Sequence, residues 1–138
     1  MAKNDALYMK FANAMAEISK SERLKVGAVL VTKNGVVLTG VNGLPKQLGN
    51  ELEEKQYNPD ELRFSPEYNL MDEEGLDYKL TTKQTVIHAE LNCLLKAAKE
   101  GVSVVKSTVY ITHSPCQQCA SMLISAGVKH VVYETPVS

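Results

Sequence analysis

The sequence predicts an α/β domain in which a mixed β-sheet carries helices on its faces, and three patterns predict it. A helical apolar period opens the chain, a β-hairpin follows, and two helix–strand pairs close it. Leu7, Phe11, Met15 and Ile18 recur at helical spacing, so a first helix running to about Lys20 is expected to pack by that face. Residues 26–31 (VGAVLV) form an apolar β-branched run, Asn34-Gly35 is a hairpin signal, and residues 36–41 (VVLTGV) return antiparallel. A helix over 88–100, rich in Ala, Leu and Lys, is stopped by Gly101 and followed by a strand over 107–112. Pro115 opens a helix over 116–126, Gly127 caps it, and a strand over 128–133 follows. In the middle the pattern is lost. Pro45, Pro59 and Pro66 interrupt it, and ten of the sixteen acidic residues lie between Glu51 and Asp77. Residues from about 44 to 84 are therefore expected to be an irregular, solvated acidic insertion of partial order within a single domain spanning 1–138. Its Tyr57, Phe64, Tyr68 and Tyr78 offer aromatic surface for folding over a ligand or a neighbouring subunit.

Composition narrows the function classes. With 44% hydrophobic and 22% charged residues in 138, the chain has the balance of one globular domain. A net charge of −1 lacks the basic field that holds long nucleic acid, so a small-molecule partner is expected and nucleic acid is not. No apolar run approaches the roughly 20 residues that span a bilayer, and the first twenty residues carry charges throughout. No membrane partner and a cytoplasmic setting are expected. Three cysteines, two of them in a C-x-x-C, point to metal or redox chemistry in a reducing compartment and not to a disulfide framework.

That chemistry gathers at two helix starts, His88-Ala89-Glu90 and Pro115-Cys116-Gln117-Gln118-Cys119. One imidazole and two thiolates satisfy a catalytic Zn²⁺, which takes three protein ligands and leaves its fourth position for water. A helix N-terminus is expected to lower the pKa of both thiols and favour the metal-binding thiolate. Two thiolates also cancel the charge of the metal and make it a weaker acidifier, so a base must help. Glu90, two residues from the histidine, can take a proton from the water and pass protons to a ring nitrogen and then to a leaving amine. H-x-E with P-C-x-x-C is the known signature of zinc nucleobase deaminases, and the sequence matches it at every required position.

Together HAELNCL, SPCQQCA, VGAVLV and GVNG resemble the cytidine deaminase superfamily, and most of all its deoxycytidylate deaminases, compact bacteriophage-encoded members included. The resemblance spans residues 5–134 apart from the insertion. It implies a three-layer α/β/α cytidine deaminase-like fold, zinc on His88, Cys116 and Cys119, and Glu90 as the catalytic acid–base. The implied reaction is hydrolysis of dCMP to dUMP and ammonia in pyrimidine deoxynucleotide supply. By the same resemblance Asn42, with Gly40 and Gly43 of its G-x-N-G loop, contacts the sugar or phosphate of a substrate or effector, and Ala89 and Ser114 join that set. Arg23 and Lys25 are implied phosphate contacts, Lys99 a residue at a subunit boundary, and Tyr133 a further contact. Family members form hexamers activated by dCTP and inhibited by dTTP with Mg²⁺, so a homo-oligomer is expected. Val41 here replaces the usual aromatic and removes a ring that would pack on an effector. Extra thiols that hold a second zinc in many viral members are missing, which implies one zinc per subunit. The chain stops five residues after Tyr133, where relatives continue into another strand, so the resemblance implies that the usual last strand is lacking and its edge open or covered by an oligomer. If the source is viral, the setting is host cytoplasm.

Plainer roles suit other residues. Cys93 amid Leu91, Leu94 and Leu95 reads as a small buried hydrophobe, His113 as a strand-end residue near the pocket, and His130 as a surface residue. Two rival functions remain. One is deamination of another cytosine compound (dCTP, deoxycytidine or cytosine); the other is a non-catalytic nucleotide sensor, against which the retained Glu90 argues.

Overall fold

The computed structural model describes residues 4–44, 49, 51–59, 67–83 and 86–135. Its elements run α1 (Asp5–Ala16), β1 (Gly27–Val31), β2 (Val37–Val41), β3 (Glu53–Tyr57), β4 (Leu70–Met71), β5 (Asp77–Thr82), α2 (Ala89–Glu100), β6 (Thr108–His113), α3 (Gln117–Ala126) and β7 (His130–Thr135). The main sheet has the order β2-β1-β6-β7. β1 pairs antiparallel with β2 and with β6, whereas β6 and β7 are parallel, so the sheet is mixed as expected. β7 forms one edge, with no fifth strand beside it among the described residues. The hairpin turn bonds Gly35 N to Thr32 O, and Gly101 and Gly127 end α2 and α3 in the left-handed conformation that glycine adopts freely.

Alternation along β1 separates two cores and so three layers. Ala28 and Leu30 face Ala89, Cys93 and Ala97 of α2, Leu123 of α3, and Val109 and Ile111 of β6. Val29 turns the other way, onto Ala12 of α1 and Tyr110 of β6. Leu30, Ile111 and Leu123 are fully buried, each such side chain contributing roughly 1.5–3 kcal/mol. None of the helices among the described residues is long and apolar enough to cross a membrane.

Two sequence expectations about α1 are corrected. The face that α1 buries is formed by Ala12 and Ala16, with Tyr8 stacked 5.2 Å from Tyr110 and Tyr110 Oη donating to Asp5 at 2.6 Å. Leu7 and Phe11 are exposed, as is Ile18 just beyond the helix. Small alanines let the helix axis approach the sheet, and that closeness outweighs side-chain size. The helix also ends four residues early, because Ser19 and Ser21 hydrogen-bond into a loop.

The described residues of the acidic middle are more ordered than expected too. β3, β5 and β4 form a separate antiparallel sheet in that order, pairing Tyr57 with Tyr78 and Lys55 with Leu80. Its order rests on backbone bonding and cross-strand side chains: the Tyr57 and Tyr78 rings lie 5.8 Å apart, and Lys55 Nζ sits 4.9 Å from the Tyr78 ring. Little of it is buried, so no two-residue apolar rhythm marks it in the sequence. Pro45, Phe64, Pro66 and Gln84 lie outside the described residues.

Candidate active site

Two helix starts converge beside the end of β6. His88 is the residue before α2 and Cys116 the residue before α3, both extended, so each helix opens toward the same point. Placement of α2 depends on β2. A Cβ on Gly40 would overlap Ala89 O and crowd the Cys93 backbone N, so only glycine lets the helix start this close. Gly43 exchanges backbone hydrogen bonds with Ile87 at 3.0 and 2.8 Å, and Asn92 Nδ2 donates to Val41 O at 2.6 Å. These bonds fix the turn of chain that carries His88.

The donor atoms of His88, Cys116 and Cys119 all lie within 4.8 Å of one another. His88 Nδ1 stands 3.1 Å from Cys119 Sγ and 3.9 Å from Cys116 Sγ. Tetrahedral zinc with ordinary Zn–N and Zn–S bonds sets such donors about 3.5–3.8 Å apart, so one imidazole nitrogen and two sulfurs fit this metal. Glu90 is 2% exposed, with Oε1 3.7 Å from His88 Nδ1. Burial pushes its carboxyl above the ordinary range, against a hydrogen bond from Cys119 and the nearby His88. Cys119 departs from the sequence expectation. Burial, followed by hydrogen bonding with Cys116 and the charge and hydrogen bond of Glu90, pushes this thiol up despite its helix N-terminus. Its thiolate must therefore come from metal binding itself.

His88, Cys116 and Glu90 open on a cavity of about 230 Å³, with Cys119 buried behind them. Val86, Ala89 and Ile111 give it apolar walls, while Ser21, Asn42 and Thr82 give it polar ones. Arg23 is the one permanent cation among its described lining residues.

The same arrangement has known relatives. Residues 2–135 match the family described as "Cytidine and deoxycytidylate deaminase zinc-binding region". The chain belongs to that family. Deoxycytidylate deaminase of Enterobacteria phage T2 is 30% identical over 143 residues, covering 91% of this chain and 76% of its own. That of Mycobacterium phage D29 is 31% identical over 131 residues, covering 94% and 92%. The crystal structure of dCMP deaminase from the cyanophage S-TIM5 in complex with dCMP and dUMP matches with a TM-score of 0.75 at 35% identity, over 99% of this chain and 85% of that one.

Within this zinc-binding deaminase the other residues singled out by sequence divide. Ala89, Ser114, Arg23 and His113 line the cavity. Asn42 lines it too, but its amide is largely engaged: Oδ1 accepts from Ser19 Oγ at 2.6 Å and Val26 N at 3.0 Å, and Nδ2 donates to Leu24 O at 2.8 Å. Gly40 and Gly43 position α2 and stand outside the lining. Lys25, Lys99 and Tyr133 are exposed and outside it as well. Cys93 is fully buried, and burial pushes its thiol up to about 12, which leaves it inert. His130 is exposed. Thr82 was missed because it belongs to β5, inside the stretch read as irregular; Val86 and Ile111 carry only the signal of apolar residues beside the motifs.

Proposed function

We propose that this deaminase converts dCMP and water to dUMP and ammonia. The observation that carries the proposal is the buried Glu90 beside a three-donor zinc site in a cavity that also holds Arg23. The S-TIM5 enzyme in complex with dCMP and dUMP supports the same substrate. His88, Cys116 and Cys119 would hold one zinc per subunit, and zinc bound there supplies Lewis acidity that lowers the pKa of water. Glu90 removes a proton from the attacking water as its oxygen adds to C4 of the cytosine. It delivers that proton to ring N3, then takes the remaining proton of the new C4 hydroxyl and passes it to the amino group, so that the C4–N bond breaks, ammonia leaves and the C4 carbonyl forms. Val86 and Ile111 exclude bulk water from the ring. Arg23 takes the phosphate, and Asn42, whose Nδ2 keeps a second N–H, borders the sugar.

The proposal extends to a cytoplasmic hexamer activated by dCTP and inhibited by dTTP with Mg²⁺, for which Gly40, Asn42 and Gly43 of the G-V-N-G loop, without the aromatic that Val41 replaces, are the support in the sequence. The test is ammonia release from cytidine, deoxycytidine, dCMP and dCTP, each with and without dCTP or dTTP plus Mg²⁺. A charge-assisted contact to the phosphate should favour dCMP over deoxycytidine roughly 10- to 100-fold in kcat/KM. Equal values for the two would sink the nucleotide assignment.

A further inference from the structure

One rung of the insertion's small sheet grips the Ser21–Arg23 turn beside the cavity. Glu53, the first residue of β3, accepts hydrogen bonds from Ser21 Oγ at 2.7 Å, Glu22 N at 2.8 Å and Arg23 N at 3.1 Å, all on Oε1. Ser21 Oγ in turn accepts from Leu24 N at 3.1 Å, which closes the turn. From the paired strand β5, Thr82 Oγ1 accepts from Arg23 Nη1 at 2.9 Å. Glu53 and Thr82 are direct register partners, so one rung of the small sheet grips Arg23 at both its backbone and its guanidinium. Burial raises the Glu53 carboxyl, but the bonds from Ser21, Arg23 and Glu22 and the charge of Arg23 outweigh it and hold the group below its ordinary range. It is therefore ionised at neutral pH. Among the described residues, no strand of the small sheet packs against a helix or strand of the main body.

We propose that Glu53 is a positioning residue for nucleotide recognition: through the Ser21–Arg23 turn, it presets the guanidinium that binds the substrate phosphate. This rests on the proposed reading of Arg23 as the phosphate contact. The carboxylate touches no substrate and acts through the turn it organises. A preset cation loses less freedom on binding than one that must be ordered, so the effect belongs in KM for phosphorylated substrates.

The experiment compares Glu53→Gln, Glu53→Asp, Arg23→Gln and the Glu53→Gln/Arg23→Gln double variant in zinc-loaded protein, on dCMP and on deoxycytidine. Glu54→Gln, with its exposed side chain on the same strand, is the control. Glu53→Gln should raise KM for dCMP roughly 10-fold, as expected for a lost charge-assisted contact, with kcat and all deoxycytidine kinetics near wild type. Glu53→Asp should recover part of that loss, and the double variant should be no worse than Arg23→Gln alone. Arg23→Gln with an unchanged KM for dCMP removes the phosphate reading and this inference with it. A raised KM in Arg23→Gln beside a wild-type KM in Glu53→Gln overturns the role of Glu53 alone. Equal losses on dCMP and deoxycytidine also overturn it, in favour of general structural support.

Discussion

Glu90 and Cys119 share one proton problem. Both are buried, and burial pushes each toward its neutral form, so the metal-free site keeps a thiol that donates to the carboxylate. Zinc held by His88, Cys116 and Cys119, as proposed, would take the sulfur as thiolate and leave Glu90 free to work on water. Glu90→Gln keeps shape but cannot carry a proton. It should retain one zinc per chain by metal analysis and lose at least the roughly 10²-fold typical of a removed general acid–base in ammonia release. Activity within a few-fold of wild type would refute that role. Cys116→Ala/Cys119→Ala should lose the metal outright, and a second equivalent in the wild-type protein would contradict the single site. Asn42 makes a different prediction. Its amide joins Ser19, Leu24 and Val26, so Asn42→Ala strands several partners at a cost of about 1–3 kcal/mol and should lower Tm by several degrees while raising KM for dCMP. An unchanged melting curve would show that the loop holds itself.

At the scale of elements, close approach sets what the sequence discloses. β1, β2, α2, β6, α3 and β7 were legible within a few residues, because β-branched runs, the Asn34-Gly35 turn and the two glycine caps are local signals. The three residues that cluster as candidate metal donors were legible for the same reason, each sitting at a helix start. The buried face of α1 was not, since Ala12 and Ala16 win the sheet by being small and the larger Leu7 and Phe11 are left outside. β3 to β5 were hidden because cross-strand pairing, and not burial, orders them. Gly40→Ala tests the same closeness at the site. The added methyl overlaps Ala89 O, so the first turn of α2 must shift, at about 1–3 kcal/mol. Circular dichroism melts and kcat/KM should both fall. Wild-type values in both would mean that α2 and β2 can part without displacing His88.

For the molecule as a whole, exposed apolar surface supports the proposed assembly. Leu7 and Ile18 are 62% and 60% exposed, and Ile124 of α3 is 72% exposed. A homo-oligomer that covers such side chains should appear by light scattering at micromolar concentration, with or without nucleotide, and a hexamer is the expected mass. A monomer under both conditions would rule it out. The small sheet has another bearing. It pairs with itself and meets the body at the Glu53 and Thr82 rung, whereas the candidate zinc donors stand at the starts of α2 and α3. The carboxylate proposed to preset Arg23 and the donors proposed for zinc thus lie on separate stretches of chain, so that changes in the small sheet would retune the grip on Arg23 without touching the metal donors.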